Sequence, residues 1–281
     1  MTRSGNRIDA MFRRLQSEGR KAFATFTLSS DPSFKECLER LDLLVKNGID
    51  ILEIGHPFSD PVLDGATIQV ANRRALAAGG NLARAFELCA AFRKKNKVTP
   101  IVLMGYANPI VTTGYDAFAC RAAAAGIDGL IVADLPLREA GPLLDALARE
   151  GLYFIPLAAP TVETSDFTSR HPGVGGFVYC IPVVGPTGGP SASMDAILDA
   201  VTRCRMASAL PVMVGFGVKT PSMAADVAAI ADGVVVASVL IEEFEKMRTA
   251  LSPAEFKAAA GDLALGYRRV IDAQPALVPR L

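Results

Sequence analysis

Eight short apolar runs alternate with helix-patterned stretches along this 281-residue chain, and that alternation restricts the fold more than any other feature. The runs fall at 23–28, 49–54, 100–104, 129–133, 153–157, 176–180, 211–214 and 233–236. Between them apolar residues recur at helical spacing, with Asn47-Gly48 and Gly79-Gly80 as stop signals. Strands separated by helices pair in parallel through right-handed crossovers. Eight such units in about 250 residues match the count and length of an α/β (β/α)8 TIM barrel. One barrel domain is therefore expected across 1–281, with its core at about 20–273. Ile8, Met11, Phe12 and Leu15 add a helix before the first strand, placed to plug the barrel floor. An open doubly wound sheet is the alternative, but no Gly-x-Gly-x-x-Gly follows the first strand.

The second run carries an oddity. Ile51-Leu52-Glu53-Ile54 puts one carboxylate inside a strand that should be apolar on both faces. Side chains alternate along a strand, so Glu53 points opposite to Leu52 and Ile54. If those two pack under helices, Glu53 faces the barrel interior. Burying a carboxylate is costly unless it is paired or protonated. The alternatives are an exposed strand end or a buried lysine partner. The loop that follows, Gly55-His56-Pro57-Phe58-Ser59-Asp60-Pro61-Val62-Leu63-Asp64-Gly65, adds two more acids. Glu53 with a raised pKa could trade protons near neutrality, while an ionised Asp64 could hold a developing positive N–H.

Barrel active sites form at the C-terminal ends of the strands. There the sequence places Ser59, Asp60 and Asp64, then Tyr106 and Asn108, then Asp134. Glycine-rich turns follow at 185–189 and at Gly215-Phe216-Gly217, and Ala237-Ser238 closes the eighth run. Bare backbone amides and a helix starting near Ser238 would suit a phosphate without Lys or Arg. Plainer roles exist for each side chain. Asp64 and Asp60 can serve turns, Asp134 can cap the next helix, and Tyr106 can be a core aromatic. His56 is expected to be satisfied or exposed rather than catalytic.

The 29 basic and 29 acidic residues cancel, so no one-sign field favours nucleic acid or a membrane surface. Cys37, Cys89, Cys120, Cys180 and Cys204 are scattered, and the two histidines lie far apart. That argues for a reducing cytosol and against disulfides or a Cys/His metal site, with each cysteine a small core residue. The N-terminus shows no secretory pattern, and 233–241 is too short to span a bilayer.

The segment 53–65 resembles the signature of the tryptophan synthase alpha chain family. Matching motifs include Asp31-Pro32, Thr67-Ile68-Gln69, 104–109, 133–136, Tyr179, 185–188 and 215–221, so the resemblance covers roughly residues 6–275. It implies a lyase of tryptophan biosynthesis that cleaves indole-3-glycerol phosphate to indole and glyceraldehyde 3-phosphate. It assigns proton transfer to Glu53 and the indole N–H to Asp64. Phe26, Tyr106, Tyr179 and the mobile-loop Thr187 are implied around the substrate, with Gly188, Gly217, Ala237 and Ser238 at its phosphate. Pro57, Asp60, Asn108 and Pro136 match the face that docks on a beta chain in an alpha2-beta2 assembly. That partner carries pyridoxal phosphate; the alpha chain needs no cofactor and no metal. The implied location is cytoplasmic. Departures from the family pattern are Ser30 for Gly, His56 for an aliphatic residue, Ala66 for Pro, Pro182-Val183-Val184 in a segment that usually holds Ser and Arg, and Ala237 for Gly. They keep two other readings open: a free-standing indole-3-glycerol-phosphate lyase, or a paralogue acting mainly as a binding or activating subunit.

Overall fold

The strands join one parallel sheet in the order β5-β4-β3-β2-β1-β9-β8-β7-β6. The computed structural model describes residues 5–164, 167–182, 192–215 and 217–275. The strands are β1 (Ala22–Leu28), β2 (Ile51–Gly55), β3 (Ile101–Gly105), β4 (Gly129–Val132), β5 (Tyr153–Phe154), β6 (Leu157–Ala158), β7 (Val178–Cys180), β8 (Val212–Val214) and β9 (Gly233–Val236).

The two ends of that order, β5 and β6, are one stretch of chain split at Ile155-Pro156. Ile155 N–H donates to the Leu130 carbonyl at 2.8 Å, and Tyr179 N–H donates to the Pro156 carbonyl at 2.9 Å. Proline cannot donate, so the ladder is interrupted there. The stretch still bridges β4 to β7 and closes the ring. The eight expected runs are thus eight barrel staves, the fifth in two pieces, and the open doubly wound alternative is excluded.

The helices are α1 (Arg7–Ser17), α2 (Phe34–Lys46), α3 (Ala66–Ala77), α4 (Leu82–Arg93), α5 (Ala107–Thr113), α6 (Tyr115–Ala124), α7 (Gly141–Glu150), α8 (Met194–Ala207), α9 (Pro221–Ile230), α10 (Ser238–Ala250) and α11 (Pro253–Asp272). One of these departs from expectation. The sequence pattern treats 105–109 as loop, yet α5 starts at Ala107 with Pro109 in its first turn, where a missing N–H costs nothing. The short helix expected at 164–169 falls partly outside the described residues.

Side-chain alternation sorts the core into two compartments. Leu52, Ile54, Ile101 and Leu103 point outward under the helices. Ala22, Ala24, Ile51, Val102, Ile131, Phe177, Tyr179, Met213 and Val235 fill the barrel. Ile8, Met11 and Leu15 of α1 join that inner cluster, so the extra helix does plug the floor. Four cysteines are buried as expected, but Cys120 is exposed, because it lies on the solvent side of α6.

Candidate active site

Glu53 stands in register with Phe26 of β1 and Val102 of β3. It is fully buried, and neither carboxylate oxygen has a hydrogen-bond partner. Burial without a counter-charge pushes its pKa up to about 8. The exposed-end and lysine-pair readings therefore both fail. The buried Lys21 spends its ammonium on the Ala231 carbonyl instead. At neutral pH the Glu53 carboxyl holds its proton.

A cavity of about 780 Å³ opens above this layer. Phe26, Glu53, Asp64, Tyr179, Gly215 and Ala237 all line it, each from a different strand end or loop. Tyr179 sits near Glu53: burial and the Glu53 charge both hold its phenol well above the usual range. Its hydroxyl donates to the Gly215 carbonyl at 3.1 Å. A Cβ on Gly215 would stand 2.2 Å from that hydroxyl oxygen, so only glycine leaves room for the ring.

Asp64 reaches the cavity from the loop between β2 and α3. It does not merely serve its own turn. The Tyr106 hydroxyl donates to Asp64 Oδ1 at 3.1 Å and accepts from Leu63 N–H at 3.1 Å. Partial burial raises the Asp64 pKa to about 6, and the Tyr106 hydrogen bond pulls it back. Asp64 is therefore largely ionised at neutrality while Glu53 is not. Tyr106 is buried, stacks on Phe58 with centroids 5.3 Å apart, and acts on the site through Asp64. Phe58 N–H donates to Asn72 Oδ1 at 3.1 Å, and Asn72 Nδ2 returns a bond to the Phe58 carbonyl. Sequence reasoning missed Asn72. Its signal was an amide on the apolar stripe Ile68, Ala71, Asn72 and Ala75 of α3.

Two expectations change. Asp134 does not cap the helix that follows it; its Oδ1 accepts Ala107 N–H at 2.8 Å, fixing the start of α5 from the neighbouring loop. His56 is neither exposed nor satisfied. It is buried, its ring nitrogens lack partners in hydrogen-bond geometry, and burial lowers its pKa to about 4, offset in part by the Pro57 backbone. It points away from the cavity, against Gly105, where a Cβ would lie 1.9 Å from Nε2. Pro57 is buried, whereas Asp60, Asn108 and Pro136 are exposed.

The departures read locally. Ser30 has φ 68°, in the left-handed region that favours glycine. Ala66 is the first residue of α3, the position where proline fits best and where alanine also helps a helix. Ala237 precedes α10, and its methyl lines the cavity and packs on the cluster of Phe26 and Ile68. The α10 first turn begins at Ser238; the Leu240 and Ile241 amides donate to the Ala237 carbonyl at 3.0 and 3.2 Å, so the amides without an intrahelical acceptor are those of Ser238 and Val239. Gly217 has φ 78°. Thr187 and Gly188, with Val183 and Val184, lie outside the described residues. Among the described residues no cluster of three or more His, Cys, Asp or Glu could hold a metal ion, and no helix is long and apolar enough to cross a membrane.

The chain is similar to alpha chains from several bacteria. It is 46% identical over 240 residues to the tryptophan synthase alpha chain of Caulobacter sp. (strain K31), covering 85% of this chain and 87% of that one. It is 48% identical over 237 residues to that of Phenylobacterium zucineum (strain HLK1), covering 84% and 86%. The crystal structure of tryptophan synthase subunit alpha from Legionella pneumophila str. Paris superposes with TM-score 0.88 at 37% identity, covering 96% of this chain and 99% of that one. A crystal structure of tryptophan synthase from M. tuberculosis, aminoacrylate-bound form, matches with TM-score 0.80 at 32% identity, covering 94% and 100%. The family model described as tryptophan synthase alpha chain matches residues 12–264, and on that span the chain belongs to the tryptophan synthase alpha chain family.

Proposed function

We propose that this chain cleaves indole-3-glycerol phosphate to indole and glyceraldehyde 3-phosphate, as the alpha subunit of a tryptophan synthase. The observation that carries the reading is the pair Glu53 and Asp64: two acids on one cavity, one protonated and one ionised near neutral pH. Retro-aldol cleavage needs both states. Glu53 gives its proton to indole C3, and the ring becomes an indolenine. Asp64 holds the ring N–H as positive charge develops there. Glu53, now a carboxylate, takes the proton of the glycerol hydroxyl while the carbon–carbon bond breaks and its electrons return to the ring. Indole and the aldehyde leave, and Glu53 is protonated again. Phe26 and Tyr179 flank the aromatic ring. Gly217, Ala237 and Ser238 seat the phosphate through backbone amides and the positive end of α10. Thr187 and Gly188, which lie outside the described residues, keep the substrate and phosphate roles that the family resemblance implies.

The chemistry uses side chains and amides of this chain and draws on no cofactor. Pyridoxal phosphate belongs to the beta chain that family membership implies as partner, in an alpha2-beta2 assembly. Asp60, Asn108 and Pro136, exposed at the rim of the cavity end, suit that contact, with Pro57 shaping the loop from beneath. Cysteines outside any disulfide fit a cytoplasmic location.

The test is indole release from indole-3-glycerol phosphate by the wild type, Glu53→Gln and Asp64→Asn. Collapse in both variants is expected, and equal release by all three overturns the reading. Strong wild-type activity that a beta chain leaves unchanged would instead favour a free-standing lyase.

A further inference from the structure

Three arginines among the described residues are almost fully buried: Arg40, Arg93 and Arg268. Two have the partners such burial demands. Arg93 Nη2 lies 2.7 Å from Asp128, and Arg268 meets Asp50 at 2.8 Å and Asp272 at 2.6 Å. Arg40 on α2 is only 5% exposed and makes no ion pair among the described residues. Its Nε is buried without a hydrogen-bond partner. The guanidinium carbon lies 5.6 Å from the centroid of the Phe244 ring. Glu245, whose charge Arg40 feels, is already held by two hydrogen bonds from Arg248, at 2.8 and 2.7 Å. A buried cation without a paired carboxylate is costly, and an anion brought to it would offset that cost.

Arg40 lines a second cavity, of about 320 Å³, on the outside of the barrel between α2, α10 and α11. Leu43, Leu251 and Phe256 give it an apolar floor, while Arg248 and Lys257 add cations at its edge. Glu36 and Glu39 also border it. Glu36 is tied to the Ser33 hydroxyl at 2.7 Å, and Glu39 sits 3.9 Å from the Lys257 ammonium. Those two acids oppose a doubly charged guest. A guanidinium matches a carboxylate in a planar, two-point arrangement, and the floor matches a hydrocarbon body. The size suits a guest of about one ring.

We propose that this outer groove binds a small organic monocarboxylate with an apolar body, its carboxylate on Arg40. The site is separate from the barrel cavity and shares no residue with it.

Benzoate is the probe, and the readout is the methyl NMR signals of Leu43 and Leu251, which binding in the barrel cavity does not touch. In the wild type, saturable shifts are expected below roughly 50 mM benzoate. Arg40→Met keeps the apolar stem and loses the charge, and should weaken binding at least about tenfold. Benzyl alcohol, which removes the charge from the ligand instead, should not saturate the same signals, so the test stands even if the variant misfolds. No saturation by benzoate, equal binding of benzyl alcohol, undiminished binding to folded Arg40→Met, or tighter binding of inorganic phosphate would each overturn the proposal.

Discussion

Tyr106 and Asp64 form one unit: the phenol donates to Asp64 Oδ1 at 3.1 Å while accepting Leu63 N–H at the same distance. The β3 loop thereby fixes the acid that the β2 loop delivers. Tyr106 is itself fixed by stacking on Phe58, which Asn72 clamps from α3. Two loops and a helix are spent on orienting one carboxylate.

Tyr106→Phe keeps the stacking ring and removes that hydrogen bond. About 1–2 kcal/mol of transition-state stabilisation should go with it, lowering kcat/KM roughly tenfold. The bond holds the Asp64 pKa down, so its loss should move the acid limb of the kcat/KM profile from near 6 to higher pH. A profile whose acid limb stays in place would show that the limb belongs to another group.

Glu53→Gln should abolish activity and yet stabilise the protein in alkali. Below about pH 4.5, the ordinary glutamate value, both folded and unfolded chains hold the proton, and the amide variant gains nothing. Between there and the folded value of about 8 the unfolded chain ionises while the native one does not, so wild-type stability falls as pH rises. The full loss, on the order of 3–5 kcal/mol, is present above about pH 8. Thermal melts of the two proteins should therefore coincide near pH 4.5 and separate, with Glu53→Gln higher, at about pH 8.5. Wild-type kcat/KM should likewise fall on an alkaline limb near 8, because Glu53 must start protonated.

Gly105→Ala should cost about 3 kcal/mol, since its methyl would be driven into the buried His56 ring. His56→Ala in the same chain vacates that space. The double variant is expected to recover more than half of the loss, a non-additivity that denaturant titration measures. Simple additivity would mean the two residues do not meet.

Ser30→Gly should raise stability by about 1 kcal/mol. It relieves a left-handed backbone at φ 68° and removes a buried hydroxyl that lacks a partner. The melting temperature should rise by roughly 2–4 °C with activity unaltered.

Local pattern by itself determined the order of most strands and helices, the amphipathic helix before the first strand, and that Glu53 points opposite to Leu52 and Ile54. These follow from periods of two and 3.6, because alternation fixes which face a residue takes without knowing what lies opposite, whereas the ring decided that Glu53 faces inward and that α1 plugs the floor. The family signature at 53–65 was legible for the same reason: it is contiguous. What lies opposite was decided by the closed ring. Only there does Tyr106 of one loop find Asp64 of another, does Asp134 serve the helix beside it rather than its own, and does His56 lose water against Gly105. The split of the fifth stave at Pro156, and the unpaired Arg40 outside the barrel, belong to that level too. Hydrogen bonds and desolvation depend on residues tens of positions apart, and nothing in a local window records that distance.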